Sequence, residues 1–304
     1  MPKRLDIWST SVAEISGDPL FPTHEREVLS LIARPLEWKR AHIYTYADPF
    51  MLVSCDRLWL FVERQSRGSK GVICAYSSID KEAWDDHGVV LDEPYHISYP
   101  QVIECNGSYW MLPEVVKSGA VWLYRAQQLP GPWMKHAMLL NAPLADPTLL
   151  QDHNATYLWG TDLSGALRLY TAEKIEGPYI EHPSSPITSD ARYARCGGRP
   201  IRLSDGMKVR LAQDGAVSYG RALHAMRLVE LTPTTYKEIL WRENIIASRQ
   251  KWNVAGRHHL ELAEYRGSVL RAIDGRRPEH FFNMPVRLFW RAFIKAADFI
   301  GRFK

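Results

Sequence analysis

Apolar and polar positions alternate along this chain in short runs that break at Asp, Asn and Gly. Four runs share the form: VSCDRLWLFVE over 53–63, IECNGSYWMLPE over 103–114, LQDHNATYLWGTD over 150–162 and IRLSDGMKVRLAQD over 201–214. Alternation on both sides of a polar pair predicts two antiparallel strands joined by a tight turn. The turn markers Asp56, Asn106, Asn154 and Asp205 follow one another at 50, 48 and 51 residues. A weaker fifth copy, LELAEYRGSVLRAID over 260–274, comes one period later. A second pattern runs in phase with the first. GVICAYSSI, AVWLYRAQQ and ALRLYTAEK set Tyr76, Tyr124 and Tyr170 at spacings of 48 and 46, with Trp84, Trp133 or Tyr179 behind each. ALHAMRLVELT over 222–232 is the fourth copy.

Each unit is therefore two inner strands, a loop and outer strands, which is one four-stranded blade. Five such units fill residues 41–275. The period predicts an all-β fold, a five-bladed β-propeller domain over residues 1–283. The segment before Ala41 is expected to supply a closing strand and a short helix around Glu25–Arg34. Closing the ring removes exposed strand edges.

The repeat also predicts which side chains meet. The inner strands open with ADPF, SYPQ, ADPT and GRPI, so Asp48, Tyr99, Asp146 and Arg199 precede the prolines. Proline is tolerated at a strand's first position because no ladder donor is needed there. The second strands end in Glu63, Glu114, Asp162 and Asp214, with Gln213 beside the last. Acids at one repeat position would face each other across a channel mouth, where mutual repulsion calls for cations, a ligand or raised pKa values. Arg199, Arg195, His96, His258 and His259 lie in the same register and could neutralise them. His258 and His259 do not predict a zinc site, because adjacent strand residues point to opposite faces. No cofactor is implied, although the acidic ring could hold a divalent ion.

Composition narrows the picture little. The net charge of +4 is too small to imply a nucleic-acid partner. Its placement says more, because Arg287, Arg291, Lys295, Arg302 and Lys304 face only Asp298 in the tail. Over 284–304 the basic residues recur every three or four positions opposite Trp290, Phe293 and Phe299, which predicts a basic amphipathic helix that either lies on an anionic membrane surface or packs as a lid closing the propeller, the membrane surface being the expectation taken forward. Cys55, Cys74, Cys105 and Cys196 lie far apart and read as reduced thiols. The N-terminus lacks the apolar core of a signal peptide, so a cytoplasmic, membrane-peripheral protein is expected.

ADPF with its trailing LFVE, HISYPQ with MLPE, LYRA, ADPTLL, AQDGAVSYG and W…AGRHH together resemble the N-terminal domain of plant glucosamine inositolphosphorylceramide transferases and its bacterial stand-alone relatives. More distantly the chain resembles the five-bladed clan of arabinanases, xylosidases and invertases. That clan resemblance implies an Asp base in blade one, an Asp modulator in blade three and a Glu acid in blade four. Asp48 and Asp146 match the first two, but CGGRP puts Arg199 where the acid would stand. Hydrolysis needs that acid, whereas a phosphate leaving group can depart against positive charge.

The resulting expectation is a sugar-transfer enzyme of glycan or glycolipid assembly, using an activated sugar donor and a glycan or lipid-linked acceptor. Asp48 would be its base and Asp146 the tuning group. Arg199 would hold donor phosphate, while Glu114 and Asp214 would contact sugar hydroxyls. Glu114 or Asp214 could also be a displaced acid. The alternatives are a glycoside hydrolase of the clan and a non-catalytic carbohydrate-binding propeller. The absence of a DxD motif counts against a metal–nucleotide site.

Overall fold

A computed structural model describes residues 5–33, 43–66, 68–152, 155–246 and 251–279. The helix expected over 284–304 lies outside the described residues. The fold is all-β and propeller-like, with one short 3-10 turn, Val116–Ser118, as its helical element among the described residues.

The chain opens with β1 (Leu5–Gly17) and β2 (Pro22–Leu31). Unit one follows as β3 (Ile43–Ser54), β4 (Arg57–Ser66), β5 (Gly71–Ser78) and β6 (Asp85–Leu91). Unit two is β7 (Ser98–Cys105), β8 (Ser108–Glu114), β9 (Val121–Ala126) and β10 (Met134–Leu140). Unit three is β11 (Ala145–Asp152), β12 (Ala155–Thr161), β13 (Leu167–Ala172) and β14 (Ile180–Glu181). Unit four has a split inner strand, β15 (Arg195–Cys196) and β16 (Ile201–Arg202), then β17 (Lys208–Asp214), β18 (Ala222–Leu231) and β19 (Tyr236–Arg242). Unit five combines both chain ends: β20 (Leu260–Tyr265) and β21 (Ser268–Glu279) pair onward to β1 and then β2.

Turn chemistry explains the inner hairpins. Cys55 and Asp56, Asn106 and Gly107, and Arg266 and Gly267 all adopt positive φ. Two consecutive left-handed residues form the turn whose twist matches the flanking strands. The repeated aromatic after each third strand has a local task. Trp84 and Trp133 donate their indole N–H to Lys81 and Pro130, and Tyr179 donates to Ile175. Between units the core is aromatic, as where Phe61 meets Trp133 edge-on at 5.9 Å.

One element differs from expectation. Residues 25–31 belong to β2, antiparallel to β1 from Gly17↔Pro22 to Thr10↔Leu31, and not to a helix. Without β2 the edge of β1 would be left unpaired, and that tertiary demand overrides the local pattern.

Candidate functional site

Three inner strands begin with the same distortion. Asp48, Tyr99 and Asp146 have φ of 52°, 51° and 47°, each just before proline. In each case two residues on the inner strand oppose one on its partner, as Asp48 and Pro49 oppose Val62 between Ala47↔Glu63 and Phe50↔Phe61. This is a β-bulge with a non-glycine residue in the left-handed region, an arrangement that needs support from its surroundings.

The support is a carboxylate from the preceding unit. Asp274, on β21, accepts the backbone N–H of Asp48 at 3.1 Å, and Glu114, closing β8, accepts that of Asp146 at 2.9 Å. Asp274 also accepts the backbone N–H groups of His258 and His259 at 3.1 and 3.0 Å. Its other oxygen lies 2.7 Å from His258 Nδ1. Burial alone would raise the Asp274 pKa, but the His258 charge brings it below the usual carboxylate range. His258 is raised in turn: burial opposes its charging and the Asp274 carboxylate outweighs burial. Trp8 stacks on the His258 ring, centroids 3.9 Å apart, and fixes its plane.

Arg195 organises the opposite wall. Its Nε donates to Asp146 Oδ2 at 2.5 Å and its Nη2 to Glu114 Oε2 at 3.3 Å. Gln213 Nε2 adds a 2.6 Å bond to the same Asp146 oxygen. Burial would raise Asp146, yet the Arg195 charge and hydrogen bonds hold it low and ionised. The neighbouring carboxyls behave oppositely. Burial pushes Asp48 up to about 7, with His258 opposing and the Asp146 charge reinforcing. Burial and the Asp146 charge push Glu114 up to about 8 against Arg195. Burial raises Glu63 further, helped by the charges of Asp48, Glu114, Asp146 and Asp274. The pocket thus holds an ionised Asp146–Arg195 pair beside carboxyls that keep or exchange a proton near neutral pH.

The structure brings Asp48, Glu63, Glu114, Asp146, Gln213 and His258 into this cluster. His96 borders it, its Nε2 3.5 Å from Glu63. Asp162 and Asp214 fall outside, because each lies one residue past the inward position. Ala145↔Thr161 and Arg195↔Gln213 are the pairs equivalent to Ala47↔Glu63. Asp162 instead accepts from Ser164, Ala166 and Arg168, and Asp214 caps the Ala216 amide. Tyr99 is fully buried, its hydroxyl between Thr148 Oγ1 and the Gly198 N–H at 2.8 Å each, so it braces units rather than facing a ligand.

Arg199 also departs from its expected role. From Cys196↔Ala212 to Ile201↔Val209 the inner strand advances five residues against three, so Arg199 lies beyond the mouth. There its Nε pairs with Glu261 at 2.8 Å, and its Nη2 donates to the Val102 carbonyl of unit two at 2.7 Å. Arg195 is the arginine of the carboxylate pocket. Two further participants are Asp274 and Tyr219. The Arg195 guanidinium lies 5.2 Å from the Tyr219 ring centroid. Sequence signals existed for both: Asp274 closes the fifth repeat copy, and Tyr219 lies in AQDGAVSYG.

A resident divalent ion fits this set poorly. Asp48, His258 and Asp274 bring ligand atoms within 4.8 Å of one another. However, His258 Nδ1 already lies 2.7 Å from Asp274, and both Asp274 oxygens accept backbone N–H groups, so an ion here would have to displace bonds that hold the bulge at Asp48.

Residues 39–276 match the family described as glucosamine inositolphosphorylceramide transferase 1, N-terminal. The chain belongs to that family. Among curated relatives, glucosamine inositolphosphorylceramide transferase 1 of Arabidopsis thaliana is 33% identical over 246 residues, covering 76% of this chain and 32% of the relative. The protein of the same name in Oryza sativa subsp. indica is 32% identical, covering 76% and 33%. The chain thus spans about a third of the length of the curated relatives it matches. Among solved structures, an α-L-arabinofuranosidase from Clostridium thermocellum aligns with TM-score 0.54 at 17% identity, covering 77% of this chain and 82% of that one. A β-xylosidase/α-arabinofuranosidase from a compost metagenome gives 0.57 at 13%, covering 81% and 94%. At these identities the likeness is one of fold: the sheets of this chain resemble those of the propeller glycoside hydrolases.

Proposed function

We propose that this chain is a closed five-bladed propeller that transfers a glycosyl group to a hydroxyl acceptor. The observation that carries the reading is the convergence of Asp48 and Glu114 on the Asp146 held by Arg195 and Gln213, where burial pushes Asp48 up to about 7 and Glu114 up to about 8. A group whose pKa lies near the working pH is best suited to move a proton. In the proposed step Asp48, as carboxylate, takes the acceptor's hydroxyl proton while the acceptor oxygen bonds the anomeric carbon. The bond from that carbon to the leaving oxygen breaks, and Glu114 gives its proton to that oxygen. Asp146, held by Arg195 and Gln213, places negative charge beside the developing oxocarbenium ion.

The transferase naming of the relatives supports a sugar or alcohol acceptor over water. The test is incubation with nucleotide sugars and simple glycosides, with mass spectrometry of the products. Transfer that disappears in Asp48→Asn supports the reading, and donor turnover that gives only free sugar refutes it. That outcome would favour hydrolysis, for which one observation speaks: the proton held by Glu114 is what an unactivated glycoside requires. A peripheral location on an anionic membrane through residues 285–304 is also proposed, on the basic and aromatic composition of that segment. Loss of vesicle binding on deleting 285–304 is the expected result.

A further inference from the structure

Beside the carboxylate pocket lies a cleft of about 560 Å3, lined by units one to four, of which the chemistry above uses only Glu114 and Arg195. Its walls include Lys70, His96, Lys117, Glu114, Asp162 and Arg195. Glu114 and Arg195 belong to both spaces, so a ligand in the cleft is continuous with one in the pocket.

The donors are unevenly committed. Lys117 is exposed on the 3-10 turn Val116–Ser118, which Gly119 ends at φ 79°, and it has no ion pair among the described residues. His96 accepts the Gly71 N–H at Nδ1, at 3.0 Å, so its proton resides on Nε2, which lies 3.5 Å from Glu63. Burial, with the Lys117 charge nearby, lowers the His96 pKa, so His96 is a neutral N–H donor. Arg195 directs Nε and Nη2 to Asp146 and Glu114, leaving Nη1 without a hydrogen bond among the described residues. Lys70 is paired with Asp92.

The acids of the cleft do not cancel this charge. Asp162 accepts from its own turn and from Arg168 at 2.7 Å. Glu114, raised by burial to about 8, is mainly protonated at neutral pH and offers an O–H. A space lined by one unpaired ammonium, one unpartnered guanidinium nitrogen and the O–H of Glu114 matches the several acceptor oxygens of a phosphate.

We propose that this cleft is a phosphate subsite, holding the phosphate of a substrate whose sugar end enters the carboxylate pocket. The proposal rests on the reading of that pocket as a glycosyl-transfer site. Two substrates carry such a group: the diphosphate of a nucleotide-activated sugar, and the phosphodiester of a phosphoinositol headgroup.

Calorimetric titration of the full chain at pH 7 separates them. UDP and GDP form one arm, with uridine and guanosine as controls. Myo-inositol 1-phosphate forms the other, with myo-inositol as its control. One phosphate arm is expected to bind at least about tenfold tighter than its control, and Lys117→Gln to remove about tenfold of that affinity. The arm that binds names the source. Phosphates binding no better than their controls, or a Lys117→Gln protein binding them like wild type, would overturn the subsite. Free N-acetylglucosamine, titrated in parallel, keeps the two readings apart. Sugar binding unaffected by Asp146→Asn, with phosphate binding intact, would remove the sugar pocket and leave the subsite standing.

Discussion

Glu114 Oε2 accepts the backbone N–H of Asp146 at 2.9 Å, across the boundary between units two and three. The same carboxyl therefore supports a strained bulge and, in the proposed step, supplies the proton to the leaving oxygen. Glu114→Gln separates the two tasks, since the amide oxygen can still accept while the acid is gone. The melting temperature should stay within a few degrees of wild type. Turnover of donors with poor leaving groups should fall about 10²–10⁴-fold, and donors leaving as phosphate or nitrophenolate should be far less affected. Steady-state kinetics on the two donor types checks this.

The pH–rate profile should be bell-shaped. Asp48 must be ionised to accept a proton, so activity rises through about 7, and Glu114 must be protonated, so activity falls above about 8. Glu114→Gln should abolish the alkaline limb alone. A profile in which that limb survives would assign the acid elsewhere.

Stability should fall over the pH range in which activity rises. Asp48 and Glu114 have folded pKa values above those of the unfolded chain, so the folded state binds more protons between the two values. Their stabilising contribution is complete at acid pH and is lost as pH rises through about 7 to 8. Asp146 and Asp274, held low, lose theirs as pH falls below the ordinary carboxylate range. The ligand-free protein should therefore melt higher at pH 5 than at pH 8, and Asp48→Asn should flatten that slope. Thermal melts across the range measure it.

Tyr99 stands at the repeat position of Asp48 and Asp146 but is buried, bonded to Thr148 and Gly198. Tyr99→Phe would leave the Gly198 N–H without its acceptor. A loss of about 1–3 kcal/mol in chemical denaturation is expected, with sugar affinity unchanged.

How much of this was legible follows from what a repeat can carry. The turn pairs and the roughly 50-residue period fix the number of units, since a tight turn is local chemistry and a blade is a local unit. Asp48 and Asp146 were readable because both bulges share one length. Asp162 and Asp214 misled because the inward residues at their positions are Thr161 and Gln213, and a one-residue shift turns a strand side chain to the other face. Asp274 was overlooked because unit five is completed by β1 and β2 from the other end of the chain, which obscures the alignment of its copy. The pKa values of about 7 and 8 depend on burial depth, which no spacing records.

Arg199 shows the cost of following proline through the repeat. Pro200 matches Pro49, Pro100 and Pro147 in sequence, but the inner strand of unit four carries two extra residues where those of units one to three carry one. Gly197 and Gly198 make that excursion possible: a Cβ on Gly198, at φ 128°, would stand 2.1 Å from the Leu260 carbonyl oxygen. Arg199 is thereby carried to Glu261 and to the Val102 carbonyl, joining units two, four and five. Removing it leaves Glu261, which is 1% exposed, without its counter-charge. Arg199→Met should cost about 3 kcal/mol, at the lower end for a broken buried pair because the Arg199 side chain is 29% exposed. Affinity for nucleotide or sugar ligands should be unchanged once the variant is measured below its melting transition. Arg195→Met should do the reverse to affinity, weakening ligand binding by about tenfold or more as Asp146 loses its partner. Denaturation and titration of the two variants side by side would decide the point, and a loss of nucleotide affinity in Arg199→Met alone would return Arg199 to the binding site.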